Sequence, residues 1–197
     1  MTTATQDKGV KMGPGIDDVP RTMAESPTTA RASGLTSEGV WDHVARGSFA
    51  IISYITPSGA PRSSGVMYKA VGRRLYVAVA PDSWKARHIL RTGSVAVTVP
   101  VRRGGVLSLV LPIPPATVSF HGTAMVHKAD SPQVHSLWKE LAHLLPAERR
   151  ASSAIIEIIP EGTFVTYGVG VSLSEMRDPK IARARVPVTT GTRSEVA

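Results

Sequence analysis

The stretch Arg74–Val101, RLYVAVAPDSWKARHILRTGSVAVTVPV, restricts what this chain can fold into more than any other. Leu75–Ala80 is short, apolar and rich in β-formers, the pattern of a strand. Pro81-Asp82 breaks it, and Asp82 or Ser83 supplies a helix N-cap. Trp84–Arg91 has helical composition, with Ala86, Ile89 and Leu90 forming an expected inward stripe. Gly93 suits the left-handed position after a helix, and Ser94–Val101 reads as a second strand. A helix beginning this way presents free N–H groups and the positive end of its dipole, and Lys85 and Arg87 add full charges there. Anion binding is one reading of this start. A surface helix with a solvated basic face is the other.

The residues before this stretch predict an antiparallel meander. Thr36 or Ser37 caps a helix running to Arg46, with Val40, Trp41 and Val44 on its apolar side and Gly47 as its stop. Ser48–Thr56, SFAIISYIT, is a nearly continuous apolar run, which predicts a strand buried on both faces. Residues 57–61 form a turn, Arg62–Ala70 is the returning strand, and Val71-Gly72-Arg73 turns into the next. Closing such strands into a barrel removes exposed edges. The returning strand opens on small and polar residues, Arg62-Ser63-Ser64-Gly65. Glycine inside a strand marks close approach of a ligand or another backbone, or else a bulge or barrel corner.

Beyond Val101 lies a basic tip, Arg102-Arg103-Gly104-Gly105, and then VLSLVLPIPPATVSF, whose prolines prevent a regular central strand. This insertion is expected to cover a ligand or a subunit contact. Thr117–Lys128 resumes as a strand. Ser131–Arg150 predicts a helix, capped by Ser131, with Val134, Leu137, Trp138, Leu141, Leu144 and Leu145 buried, and Pro146 ends or kinks it. Ser153–Ile159 and Thr163–Tyr167 are the last expected strands. The expected organisation is a disordered leader over 1–34, one domain over 35–175, and a basic flexible tail over 176–197, with nothing folded firmly beyond Met176.

Composition removes whole classes of function. The 197 residues include no cysteine, which excludes disulfides, thiolate metal sites and cysteine nucleophiles. No apolar run approaches the ~20 residues of a membrane helix, and the N-terminus has no signal-like segment, so a cytoplasmic protein is expected. The net charge of +8 is carried by the body and tail, because residues 1–34 balance four basic against four acidic side chains. A basic body suits a small anionic ligand, and a polyanion-binding protein is a weaker alternative. With three Phe and four Tyr, no basic run is interleaved with aromatics for stacking bases, so nucleic acid is not expected as a partner. His135 and His143 are eight apart, and His121 and His127 too far apart on a strand to chelate together, so no metal site is expected. There is no Gly-x-Ser-x-Gly elbow, no Gly-x-Gly-x-x-Gly after a strand and no carboxylate pair, so catalytic residues stay unassigned. Chemistry carried by a bound cofactor is compatible with that absence.

Ser83-x-Lys85 after a strand, followed by a short helix and a Val-rich strand, resembles the pyridoxamine 5′-phosphate oxidase-like superfamily. The resemblance extends back through WDHVARGSFAIISYITPSGAPRSSGVMY and covers about Leu35 to Tyr167. It implies a mainly β fold, an antiparallel split β-barrel with flanking short helices. It implies FMN as cofactor, with the deazaflavin coenzyme F-420 as the alternative, in a homodimer acting on an unknown small-molecule substrate. Ser83 and Lys85 would hold the phosphate, with Arg62 and Arg87 as helpers and Trp84 beside them. Ser63, Ser64, Gly65, Val66, Met67, Ala78 and Val79 would line the ring system. The family's Trp/Arg-rich C-terminal substrate signature is missing, since no Trp follows Trp138, and this argues against oxidation of vitamin B6 itself. A flavin or deazaflavin oxidoreductase is the expected function, and a non-catalytic carrier of the same cofactor the alternative.

Overall fold

A computed structural model describes residues 34–102, 114–128 and 130–189. The expected leader, most of the proline-rich insertion and the last eight residues lie outside the described residues. Eight strands form one antiparallel sheet: β1 (Phe49–Ile55), β2 (Pro61–Met67), β3 (Lys69–Val71), β4 (Arg74–Val79), β5 (Ser94–Val101), β6 (Ala116–Lys128), β7 (Ala154–Tyr167) and β8 (Arg183–Pro187). Their order is β2-β1-β5-β6-β7-β4-β3, with β8 on β7. β2 and β3 stand at opposite ends of that order, yet only Tyr68 separates them in sequence. The two ends of the sheet are therefore joined, and the sheet curls into a barrel. β7 serves two neighbours along one edge, pairing β4 through residues 154–158 and β8 through 163–167.

Two helices close the barrel. α1 (Ser37–Arg46) is capped by Thr36, whose hydroxyl accepts from the Gly39 N–H at 3.1 Å, and buries Val40, Trp41 and Val44. The Trp41 ring meets Phe164 edge-on at 5.4 Å inside the barrel. α2 (Trp84–Thr92) is capped by Ser83 and ends at Gly93, whose φ of 65° is the left-handed cap that glycine favours. Gly47 ends α1 at an ordinary φ of −78°, so conformational freedom is not its role. A Cβ there would stand 2.4 Å from the Tyr68 hydroxyl, and close approach is what excludes a side chain.

Several expectations are corrected. β1 is buried on one face alone: Ala50, Ile52 and Tyr54 point inward, while Phe49, Ile51 and Ile55 are 40–47% exposed. Leu90 joins no inward stripe on α2; it is 68% exposed, and Ala86 and Ile89 alone seat the helix. The helix expected over 131–150 is broken before Pro146 as well, into α3 (Pro132–His135) and α4 (Trp138–Leu141), while Pro146 takes its expected place at a break, ahead of a 3-10 turn over Ala147–Ser152. At the first break the Ser136 hydroxyl donates to the Gln133 carbonyl, the local competition that weakens a helix from within. The two last strands are one, β7, running through Pro160 and Gly162. Through Thr189 the chain beyond Met176 is not a flexible tail: α5 (Pro179–Ala182) leads into β8, and the Thr189 hydroxyl and N–H both meet the Ser37 hydroxyl at the start of α1.

Candidate functional site

A slot between β2 and β4 is the focus of the expected site residues. The β3–β4 ladder pairs Val71 with Arg74 and Lys69 with Tyr76, and there it stops. Continued in the same register, Met67 would face Ala78 and Val66 would face Val79. Instead β2 turns away to pair with β1, and β4 pairs on its other side with β7. Two strands diverge from a closed end, and the edges they turn to each other carry no ladder bonds. Unpaired strand edges are open to a ligand's polar rim, as they are to another strand.

β4 runs through a short turn into the N-terminal end of α2. The Ser83 hydroxyl accepts from the Ala86 N–H at 3.3 Å, which caps the helix and leaves its O–H free to donate. Arg87 is also engaged: its Nε donates to the Asp82 carbonyl at 3.0 Å and its guanidinium lies 4.6 Å over the Trp84 ring. Lys85, half-buried one turn away, has no hydrogen bond or ion pair among the described residues.

Strand alternation divides the β2 residues between two faces. Arg62 pairs with Tyr54, Ser64 with Ile52 and Val66 with Ala50, so these three share the inward side. Tyr54 packs against His88 of α2 at 5.7 Å, and His88 in turn against Trp84 at 5.8 Å, which ties the Arg62 end of β2 to α2. Ser64 Oγ and His88 Nδ1 are both buried and lack hydrogen-bond partners among the described residues. Buried polar atoms are rarely left so. Ser63, Gly65 and Met67 stand on the outer face instead, where the Ser63 hydroxyl meets Ser53 at 2.7 Å. Gly65 lies under the Phe49 ring, and a Cβ there would stand 2.8 Å from it. The Ala78 side chain packs with Leu137 and Trp138 on the far side of β4, so only its backbone is placed for the slot. Val79 packs toward the barrel core.

Sequence reading missed a polar cluster on that far side. Glu157 is 5% exposed beneath α3 and α4, and takes hydrogen bonds from Arg74, from Tyr76 at 3.3 Å and from His127 at 2.7 Å. Burial pushes its carboxyl up, but the Arg74 and His127 bonds outweigh this and hold it below the usual carboxylate range. Its neighbours are Ile155, Val134 and Leu141, which makes it a structural cluster rather than part of the slot. Alternation along β7 was the available signal, since an acidic residue at position 157 interrupts a run of isoleucines.

No protein-family model and no curated protein matches the chain. Solved structures do match it. The General Stress Protein 26 from Bacillus anthracis superposes with a TM-score of 0.50 at 20% identity, over 66% of this chain and 92% of that one. A putative pyridoxamine 5′-phosphate oxidase from Listeria innocua gives 0.51 at 14% identity, over 68% and 98%. HutZ, the heme storage protein from Vibrio cholerae, gives 0.55 at 12% identity, over 69% and 98%. At these identities the likeness establishes the fold: the chain has the split β-barrel of the pyridoxamine 5′-phosphate oxidase-like proteins.

Proposed function

We propose that this chain binds a flavin-type cofactor, FMN or the deazaflavin F-420, in the slot between β2 and β4 and works as an oxidoreductase. The slot itself is the observation that carries this reading: two strand edges without ladder bonds diverge from a closed end, and β4 leads into a helix N-terminus beside a lysine with no partner among the described residues. The phosphate would sit at the start of α2, on the free N–H groups and Lys85, with Arg62 approaching from β2. The ring would lie along β2, its polar edge on the open backbone of Ser63–Met67 and beside Val79. When bound, the cofactor supplies hydride transfer; the protein binds it, orients it and keeps water from it.

A homodimer belongs to the same reading. Phe49, Ile51, Ile55 and Met67 are 40–56% exposed on one continuous sheet face. The residues around them, Ser53, Ser63, Ala96 and Thr98, are small and uncharged. An apolar face of this kind is typical of an interface, and a two-fold axis covers it with its own copy.

Spectroscopy of the purified protein, with mass spectrometry of whatever it releases, is the direct test. FMN or F-420 in stoichiometric amount supports the proposal. A heme spectrum, or a colourless protein that takes up neither cofactor, overturns it. Tight binding with no turnover across nicotinamide donors and quinone or nitroaromatic acceptors makes the protein a cofactor carrier instead. No helix among the described residues is long and apolar enough to cross a membrane.

A further inference from the structure

A cavity of about 730 Å3 opens away from the slot, where the end of α1 meets the start of β1 and the end of β5. Its size is that of a small-molecule site. His43 and Arg46 reach it from the last turn of α1, and Arg102 reaches it from beyond β5, more than fifty residues later in the chain. Phe49, Val101 and Pro115 give it an apolar wall, and no Asp or Glu is among the described residues lining it.

Basic residues in a last helical turn often do no more than complement the helix dipole. Two observations set this site apart from that. The Val44 carbonyl at the end of α1 is already satisfied, by the Gly47 N–H at 3.2 Å and the Tyr68 hydroxyl at 2.5 Å. Arg102 belongs to no helix, and neither it nor Arg46 has a hydrogen bond or ion pair among the described residues. Arg46 and Arg102 are both exposed and line one cavity with no carboxylate among its described lining, so an anion there would meet two positive charges. A guanidinium beside an aromatic and prolines suits a planar carboxylate on a flat apolar body.

We propose that this cavity binds a small organic anion of the aryl carboxylate class, with its carboxylate on Arg46 and Arg102 and its ring against Phe49. This site is separate from the anchor at α2, and it stands whether or not the slot holds a flavin.

Calorimetric titration of the full chain with 2-naphthoate and with the uncharged 2-naphthamide tests it. The acid binds more tightly than the amide, and Arg46→Gln or Arg102→Gln weakens the acid alone by roughly 10- to 100-fold, the scale of one charge-assisted bond. Arg149→Gln removes the same charge from a distant turn and leaves the titration unchanged. Arg46→Lys restores part of the affinity lost in Arg46→Gln. Thermal melts identify any variant that fails to fold; because Arg46 and Arg102 lie on separate elements, either substitution alone carries the test. Equal binding of acid and amide, no binding of the acid, or full affinity in both Gln variants overturns the proposal.

Discussion

Tyr68 donates its hydroxyl to the Val44 carbonyl over 2.5 Å, tying the one residue between β2 and β3 to the last turn of α1. The joint matters because β2 and β3 are the two ends of the sheet order, so Tyr68 stands where the barrel closes. It is 2% exposed, and Gly47 leaves room for its hydroxyl. The α1 end of the barrel and the closed end of the slot are thus held by a single side chain.

Removing that hydroxyl tests the joint. Tyr68→Phe keeps the packed ring but takes the donor from a buried carbonyl, a loss of about 1–3 kcal/mol. A urea unfolding midpoint unchanged from the parent would show that the bond contributes nothing.

Burial also pushes the Tyr68 phenol well above its ordinary value of 10.0. Below that ordinary value both the folded and the unfolded chain keep the proton, so the contribution is fully present. Above it the unfolded chain releases the proton while the folded chain does not, and stability falls by about 1.4 kcal/mol per pH unit. Unfolding free energies measured through the alkaline range should show this decline in the parent and a shallower one in Tyr68→Phe.

Glu157 governs the acid side. Its carboxyl is held below the usual range, so its contribution is present above the ordinary carboxylate value and disappears as pH falls through the lower folded value. Glu157→Ala leaves Arg74 and His127 without their shared acceptor. Arg74 is 30% exposed and partly screened, which places the cost near about 3 kcal/mol, the lower end for a broken buried pair. Denaturant melts of the variant near neutral pH give the loss directly, and the variant's stability should vary less with pH in the acid range than the parent's.

Local signals carried much of this fold, and long-range ones were hidden. Caps and stops were legible because each acts within a few residues: Thr36, Ser83 and Gly93 all take their expected roles. The strand pattern and the small-polar start of β2 were legible for the same reason. The exposed face of β1 was not, because a run such as SFAIISYIT is equally apolar whether its outer face meets the core or a second molecule. The helix over 131–150 broke where hydroxyl competition, invisible to apolar periodicity, met a weak segment. β8 was missed because its sequence, RARVP, has little strand character; pairing with β7 creates it. The slot was not legible, since it exists only where the β3–β4 ladder stops.

The outer face of β1 predicts assembly. Ile51→Lys places a charge in the middle of the Phe49, Ile55 and Met67 patch while leaving Ala50 and Ile52 in the core. Sedimentation should show a monomer where the parent is a dimer, with the circular dichroism unchanged. A parent that is itself monomeric removes the dimer from the proposed function but leaves the slot standing.

Lys85 is the sharpest test of the slot. The side chain sits one residue into α2, between the Ser83 oxygen, which accepts from the helix, and the Arg87 Nε, which donates to the Asp82 carbonyl. Among the described residues Lys85 has no such commitment, so its charge contributes nothing to the fold that Lys85→Ala would take away. Exposed and half-buried lysines without partners are close to neutral for stability, and the variant should melt with the parent. Its effect belongs to the ligand. A charge-assisted bond to a phosphate is worth about 1.5–3 kcal/mol, so FMN or F-420 should bind roughly 10- to 150-fold more weakly. The loss should shrink as salt rises, because the anchor is partly open to solvent. Riboflavin, which has the ring but no phosphate, should bind parent and variant alike. Unchanged FMN and F-420 titrations in Lys85→Ala would remove the phosphate anchor, and an equal loss for riboflavin would move Lys85 from the phosphate to the ring.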